Sequence, residues 1–279
     1  MTRVARRVAS AALVFSMAAI TLGAPTAQVR ASDEGADERP PAPTAPASLN
    51  LYRAGGFRYQ DPNYVACTAT SAMDMLNFIA LANTGGDGFK WQVNLSGSMR
   101  DAVLRYEKSH DTIVTTANGS DPHGWRNALN HYGWGDQALG DGARVYEDRG
   151  FDTMNEAIRA AVRQMITTRK PVGVLGWSGR HAQMITGYYG LTGDPFAKTA
   201  EGGWLNRFTV AGVYLTDPLR ADGLVNAKIS LTQLSSGRNT IRFARYMETD
   251  SPYDDPYQAG ERASRGEWVN HFVLVLPVK

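Results

Sequence analysis

A single cysteine, Cys67, occurs in the 279 residues of the chain. It follows the turn-forming run Gln60-Asp61-Pro62-Asn63-Tyr64-Val65-Ala66 and precedes Thr68-Ala69-Thr70-Ser71. From there a helical period sets in: Met73, Leu76 and Ala80 recur on one apolar face, widened by Met75 and Ile79. A thiol at the start of a helix meets unsatisfied backbone N–H groups and the positive end of the macrodipole, both of which favour thiolate. Gln60, seven residues upstream, is placed to return a side-chain amide as an oxyanion donor. His181 follows the turn Trp177-Ser178-Gly179-Arg180, and Asp217 opens a D-P turn 36 residues later. If the two intervening strands are antiparallel neighbours, the start of one lies beside the end of the other. His181 and Asp217 then meet as base and orienter, and the chemistry of the set is acyl transfer to a cysteine nucleophile. Each residue also has a plain structural reading: a free Cys as a small buried hydrophobe, a strand-edge His, a D-P turn.

The elements that must position these groups follow from period and punctuation. After the Cys67 helix, a second is expected from Ser98 as N-cap with Asp101 three residues on, turning Met99, Val103 and Tyr106 inward. Asp121-Pro122 starts a third, with Trp125, Leu129 and Tyr132 on its buried face and Gly133 as its stop. The fourth carries a Thr153/Glu156 capping box and runs to Lys170-Pro171. Period-two or continuous apolar runs then predict strands over 172–176, 182–189, 208–215, 240–247 and 268–276, with a helical turn near Leu231–Leu234. Helices first and strands later make an α+β fold.

Residues 1–31 read as a secretory signal: Arg3, Arg6 and Arg7 form the basic end and Ala11–Gly23 the apolar run. Cleavage after Ala27 or Ala31 fits the small-residue rule. That run is too short to span a bilayer, which needs roughly 20 residues. Residues 32–48, rich in Pro and Ala, are expected to be a disordered tether, and 49–279 one domain. The whole chain carries 29 basic and 27 acidic residues. Removing 1–31 takes four arginines and no acids, leaving a slight acidic excess. The charge therefore recommends neither nucleic acid nor an anionic membrane as partner. The expected protein is secreted, monomeric and without an integral membrane segment. One cysteine excludes an internal disulfide and leaves a thiol to be flagged as reactive.

In these motifs the chain resembles the papain-like cysteine peptidases, and within them the bacteriocin-processing (double-glycine leader) peptidase-like branch. The matching residues are Gln60 before Cys67, the Cys67 helix with T-S-A-M-D-M-L, G-R-H-A-Q-M-I-T-G-Y-Y around His181, and V-Y-L-T-D-P-L around Asp217. The segment D-P-H-G-W-R-N-A-L-N-H-Y-G is similar to that branch's middle helix, and the resemblance spans about residues 57–235. Two departures stand out. Thr68 follows the cysteine where the branch commonly has glycine, and residues 190–206 read as an added loop. The resemblance implies a nucleophile helix packed on a C-terminal antiparallel sheet, with no cofactor. It implies Cys67 as nucleophile, His181 as general base and acid, Asp217 as orienter, and Gln60 with the Cys67 N–H as oxyanion donors. One such donor contributes roughly 3 kcal/mol. A peptide or protein, in some cases of the cell envelope, is the implied substrate.

Rival chemistries fit less well. Gly176-Trp177-Ser178-Gly179-Arg180 misses the G-x-S-x-G elbow, because Arg180 stands in place of the second glycine. No H-E-x-x-H or paired C-x-x-C spacing suggests a metal, and His110, His123, His131 and His271 read as structural. The competing class is a non-enzymatic exported module that binds peptide or cell envelope on the same fold, with Trp91, Trp125, Trp134, Trp177, Trp204 and Trp268 available to line a groove. It predicts loss of Cys, His or Asp, and this chain keeps all three.

Overall fold

The computed structural model describes residues 45–111, 119–135, 144–236, 241, 243–247 and 268–279. The signal sequence expected over 1–31 and most of the tether lie outside the described residues, as do parts of the strand expected over 240–247. Of that strand, Tyr246 makes an isolated bridge to Val269. Residues 46–47, assigned to the tether, are instead docked: the Tyr188 hydroxyl donates to the Pro46 carbonyl at 2.9 Å and the Leu191 N–H to that of Ala47 at 2.9 Å.

The architecture is α+β. Among the described residues five α-helices and a seven-stranded sheet follow one another as β1 (Leu49–Asn50), α1 (Cys67–Ala82), α2 (Gly97–Lys108), α3 (Pro122–Trp134), β2 (Tyr146–Phe151), α4 (Met154–Thr168), β3 (Val172–Gly176), β4 (His181–Tyr189), β5 (Gly212–Thr216), β6 (Ala227–Ser230), α5 (Leu231–Ser236) and β7 (Phe272–Pro277). The strand order is β2-β7-β3-β4-β5-β6, every pairing is antiparallel, and β1 adds to β4. Among the described residues no helix is long and apolar enough to cross a membrane.

Alternation along the central strands builds two cores, one on each face of the sheet. Val273 and Val275 of β7 join a cluster with Met75, Leu76, Phe78 and Ile79 of α1 and Trp125 and Leu129 of α3. Leu274 and Leu276 turn the other way, against Ile158, Ala161, Val162 and Met165 of α4. The close approach of α3 to the sheet depends on Gly173. A Cβ built there would come within 2.6 Å of the fully buried Trp125 ring.

Several boundaries differ from the sequence reading. Ser96, not Ser98, caps α2, accepting from the Met99 N–H at 3.3 Å. Gly133 does not stop α3; the helix runs on to Trp134, and Gly135 takes the positive φ of 82°. The Asp121 cap with Pro122 behind it and the Thr153/Glu156 capping box form as expected. β2 and β6 were not anticipated, and the strand expected over 208–215 is regular only as Gly212–Thr216.

Candidate active site

The turn before α1 is wound by short hydrogen bonds, from Asn63 N–H to Gln60 O at 3.0 Å and from Ala66 N–H to Asn63 O at 3.2 Å. It delivers Cys67 as the first residue of the helix. Ala66 occupies the N-cap and supplies no side-chain acceptor, whereas Ser96, Asp121 and Thr153 cap α2, α3 and α4. The first backbone donors of α1 are thus left unclaimed by any cap. Small residues let this end lie flat on the sheet: Ala66, Ala69, Ser71 and Ala72 are fully buried, and the Ser71 hydroxyl reaches the Ala182 carbonyl at 3.4 Å.

The strands bring the other residues to the same place. The β4–β5 register pairs Met184 with Thr216, so Asp217, one residue past β5, comes opposite Gln183 near the start of β4. His181 Nε2 lies 2.7 Å from Asp217 Oδ1. Gln183 Nε2 donates to Asp217 Oδ2 at 2.5 Å, and the Leu219 N–H donates to Oδ1 at 2.7 Å. Asp217 is fully buried and His181 almost so. Cys67 is the imidazole's other reactive neighbour, close enough for each to shift the other's protonation. Of the four residues singled out in the sequence, Cys67, His181 and Asp217 therefore form one connected row.

Charge is redistributed along that row. Burial alone would drive His181 toward neutrality, but the hydrogen bonds and negative charges of Asp217 and Cys67 outweigh it and hold the imidazole up to about 10. Burial likewise pushes the Cys67 thiol up. The His181 hydrogen bond and charge, with the Ala182 and Thr68 backbone N–H groups, overcome it and leave the thiol below its ordinary value. The two shifts are reciprocal, and both favour thiolate beside imidazolium.

Gln60 is placed near this row but differently from expectation. Its side chain is buried and Nε2 donates to the Tyr64 carbonyl at 2.8 Å, so one amide hydrogen is committed to the turn and only the second is free for a ligand. Its backbone N–H bonds the Pro218 carbonyl at 2.9 Å, which ties the turn before Cys67 to the residue after Asp217.

Four contributors were missed in the sequence. Gln183 holds Asp217 as described. Trp177 stacks over His181 with centroids 4.5 Å apart, on a hairpin turn where Trp177 and Ser178 adopt φ of 51° and 62°. That is unusual for residues with a Cβ and costs on the order of 1 kcal/mol each. Thr68 donates its hydroxyl to Glu107 of α2 at 2.7 Å. Burial, opposed by that bond and reinforced by the nearby Asp111 and Cys67 charges, drives Glu107 well above the carboxylate range. A neutral acid at that position does not oppose the thiolate. Asp222 lies beside Asp217, with a carboxylate oxygen of each within 4.8 Å of the other. Burial, with hydrogen bonding and charge from Asp217, pushes Asp222 up to about 7, against the pull of His181. None of the four carries a periodic or motif signal, although Trp177-Ser178-Gly179 marks where the hairpin turn lies.

Ligand atoms of His181, Asp217 and Asp222 lie within 4.8 Å of one another, so these three could hold a metal ion. His181 Nε2 and Asp217 Oδ1 already satisfy each other, which a metal would have to undo. The aromatic groove suggested for a binding module does not assemble. Trp91, Trp125, Trp134 and Trp268 are buried in the core, Trp177 covers His181, and Trp204 alone is exposed. Comparison with protein-family models, curated proteins and solved structures returned no match to this chain.

Proposed function

We propose that the protein is an exported, papain-like cysteine peptidase-like hydrolase acting on peptide or related amide bonds. The observation that carries this reading is the imidazole of His181, held at 2.7 Å by a buried carboxylate and neighboured by the only thiol in the chain, which shifts it. In the proposed reaction the Cys67 thiolate attacks the scissile carbonyl carbon and forms a C–S bond. The carbonyl oxygen becomes an oxyanion, received by the uncapped N–H groups at the start of α1 and by the remaining amide hydrogen of Gln60. Collapse of the adduct breaks the C–N bond as the His181 imidazolium gives its proton to the leaving amine. His181, now neutral, takes a proton from water; the hydroxide attacks the thioester carbonyl and expels the thiolate, which restores the ion pair. Asp217 keeps Nε2 protonated throughout, so that Nδ1 is the nitrogen that exchanges protons with the thiol and the amine. Gln183, Leu219 N–H and Asp222 hold Asp217, and Trp177 shields the imidazole from water.

The papain-like assignment rests on the order of elements: nucleophile at a helix start, base at the start of a strand, orienter at the end of the next. An epoxide peptide of the E-64 type tests the reading. Intact-mass analysis should show one adduct per chain, mapped to Cys67, and none after Cys67→Ala or His181→Ala. A chain that remains unmodified while a free-thiol reagent still titrates Cys67 returns the protein to the class of non-enzymatic binding modules.

A further inference from the structure

A second polar site lies beside this row of residues and is not used by the chemistry above. A pocket of about 390 Å³ opens between the turn before Cys67, the middle of α1, the start of α2 and the loop after Asp217. It adjoins the site at three points. Asp61 follows Gln60, Thr70 stands one helical turn beyond Cys67, and Arg220 comes three residues after Asp217.

Three of its lining residues each carry a buried polar atom that, among the described residues, makes no hydrogen bond: Asp74 Oδ2, Thr70 Oγ1 and Arg100 Nε. Asp74 is fully buried and Thr70 nearly so. Leaving such groups unpaired costs about 1–3 kcal/mol each, which three neighbours along one cavity repeat without visible return. Other atoms of the same residues are satisfied. Asp74 Oδ1 accepts from the Arg58 N–H at 3.0 Å, and Arg100 Nη1 donates to the carbonyls of Gln60 and Asp61 at 2.8 and 2.9 Å. Arg100 Nε comes no closer than 3.8 Å to the Asp101 carboxylate.

Charge selects the ligand. Of the three arginines on the wall, Arg220 is paired with Asp61 at 2.6 Å and lies over the Tyr59 ring. Arg58 and Arg100 find mainly backbone carbonyls, so the wall carries excess positive charge. Burial, against the Arg58 amide and charge, drives Asp74 well above the carboxylate range toward the neutral acid. In that state all three orphans are donors: an acid O–H, a hydroxyl and a guanidinium N–H.

Building on the proposed peptidase reading, we infer that this pocket is a carboxylate subsite, in which Arg100 and Thr70 receive an acidic group of the substrate close to the scissile bond. An extended peptide advances roughly 3.3–3.6 Å per residue and a helical turn rises about 5.4 Å, so the group belongs to a residue one or two positions from the bond. It is either an acidic side chain or a C-terminal carboxylate.

Binding can be measured without turnover, on the full chain carrying Cys67→Ala. Titration calorimetry with glutarate should show saturable binding that weakens with salt, while its neutral diamide should bind at least about tenfold more weakly. Thr70→Val, which preserves shape, should weaken glutarate by about tenfold with an unchanged melting temperature, and Arg100→Gln should weaken it by at least as much. Asp74→Asn keeps a donor and should hold affinity within about threefold. N-acetylalanine and the α-amide of N-acetylglutamate then separate a terminal from a side-chain carboxylate. Equal binding of the diamide, preference for 1,5-diaminopentane, no saturable binding, or indifference to Thr70→Val overturns the subsite. Low-pH alkylation of Cys67 in the unaltered chain reports separately on the peptidase reading, so the two fail independently.

Discussion

His181→Ala should abolish the reactivity of Cys67 near pH 6, and the structure sets the size of the effect. In the native site three kinds of group counter the burial of the thiol: the His181 hydrogen bond, its positive charge, and two backbone N–H groups. The substitution removes the first two and leaves the N–H groups of Ala182 and Thr68 opposed by burial. A hydrogen bond to a charged group is worth about 1.5–3 kcal/mol, and each 1.4 kcal/mol is a factor of ten. The thiolate fraction at pH 6 should therefore fall by about 10- to 100-fold, and iodoacetamide, which reacts with thiolate alone, reports it directly. Pseudo-first-order alkylation rates between pH 5 and 9 should rise early in the native protein and late in the variant. His181→Gln, which offers a neutral donor, should lie between them. Native and His181→Ala curves that superimpose would refute the ion pair and with it the catalytic row.

Asp217→Asn should leave low-pH alkylation within a few-fold, because His181 can still meet the thiolate, yet lower peptide turnover by about 10²–10⁴-fold as the imidazole loses its fixed tautomer; a parallel loss of both would place Asp217 in structure alone. Asp222 is held up to about 7, above its ordinary value, so its ionised form is the one the fold disfavours. That penalty is absent below about pH 4 and develops as pH rises toward 7, so Asp222→Asn should melt with the native protein at pH 4 and above it at pH 8. A melting difference independent of pH would overturn that linkage. Gly173→Ala would drive a methyl to within 2.6 Å of the Trp125 ring. It should cost about 1–3 kcal/mol in urea unfolding, whereas an unmoved midpoint would show that α3 can retreat from the sheet.

Much of the framework was legible because it is written locally. A thiol after a Pro-Asn turn, a D-P helix start and a capping box are short-range signals, and each appears where the residues put it. The meeting of His181 with Asp217 was legible at longer range because antiparallel neighbours align the start of one strand with the end of the next. What was hidden depends on convergence. Gln183 looks like an ordinary strand residue until the register sets Asp217 opposite it. Asp222 lies in a short polar turn with nothing to mark it. The amide of Gln60 was read as aimed at the cleft, but the Tyr64 carbonyl four residues on competes for it. Ser96 and Ser98 are equally good caps by type, and only the path of the chain into α2 chooses between them.

The missing cap on α1 has a consequence for how this protein can be altered. A side-chain acceptor at that position would ordinarily add about 1 kcal/mol to the helix, so the chain runs below the stability its length permits. The shortfall is made good by side chains further along, with Ala69, Ala72 and Met75 fully buried beneath the same helix. An Ala66→Ser substitution would supply such an acceptor, and in the proposed reaction its hydroxyl would compete for the amides that receive the oxyanion. Variants that gain robustness at this site should do so as poorer catalysts, a trade between endurance and turnover localised to one residue.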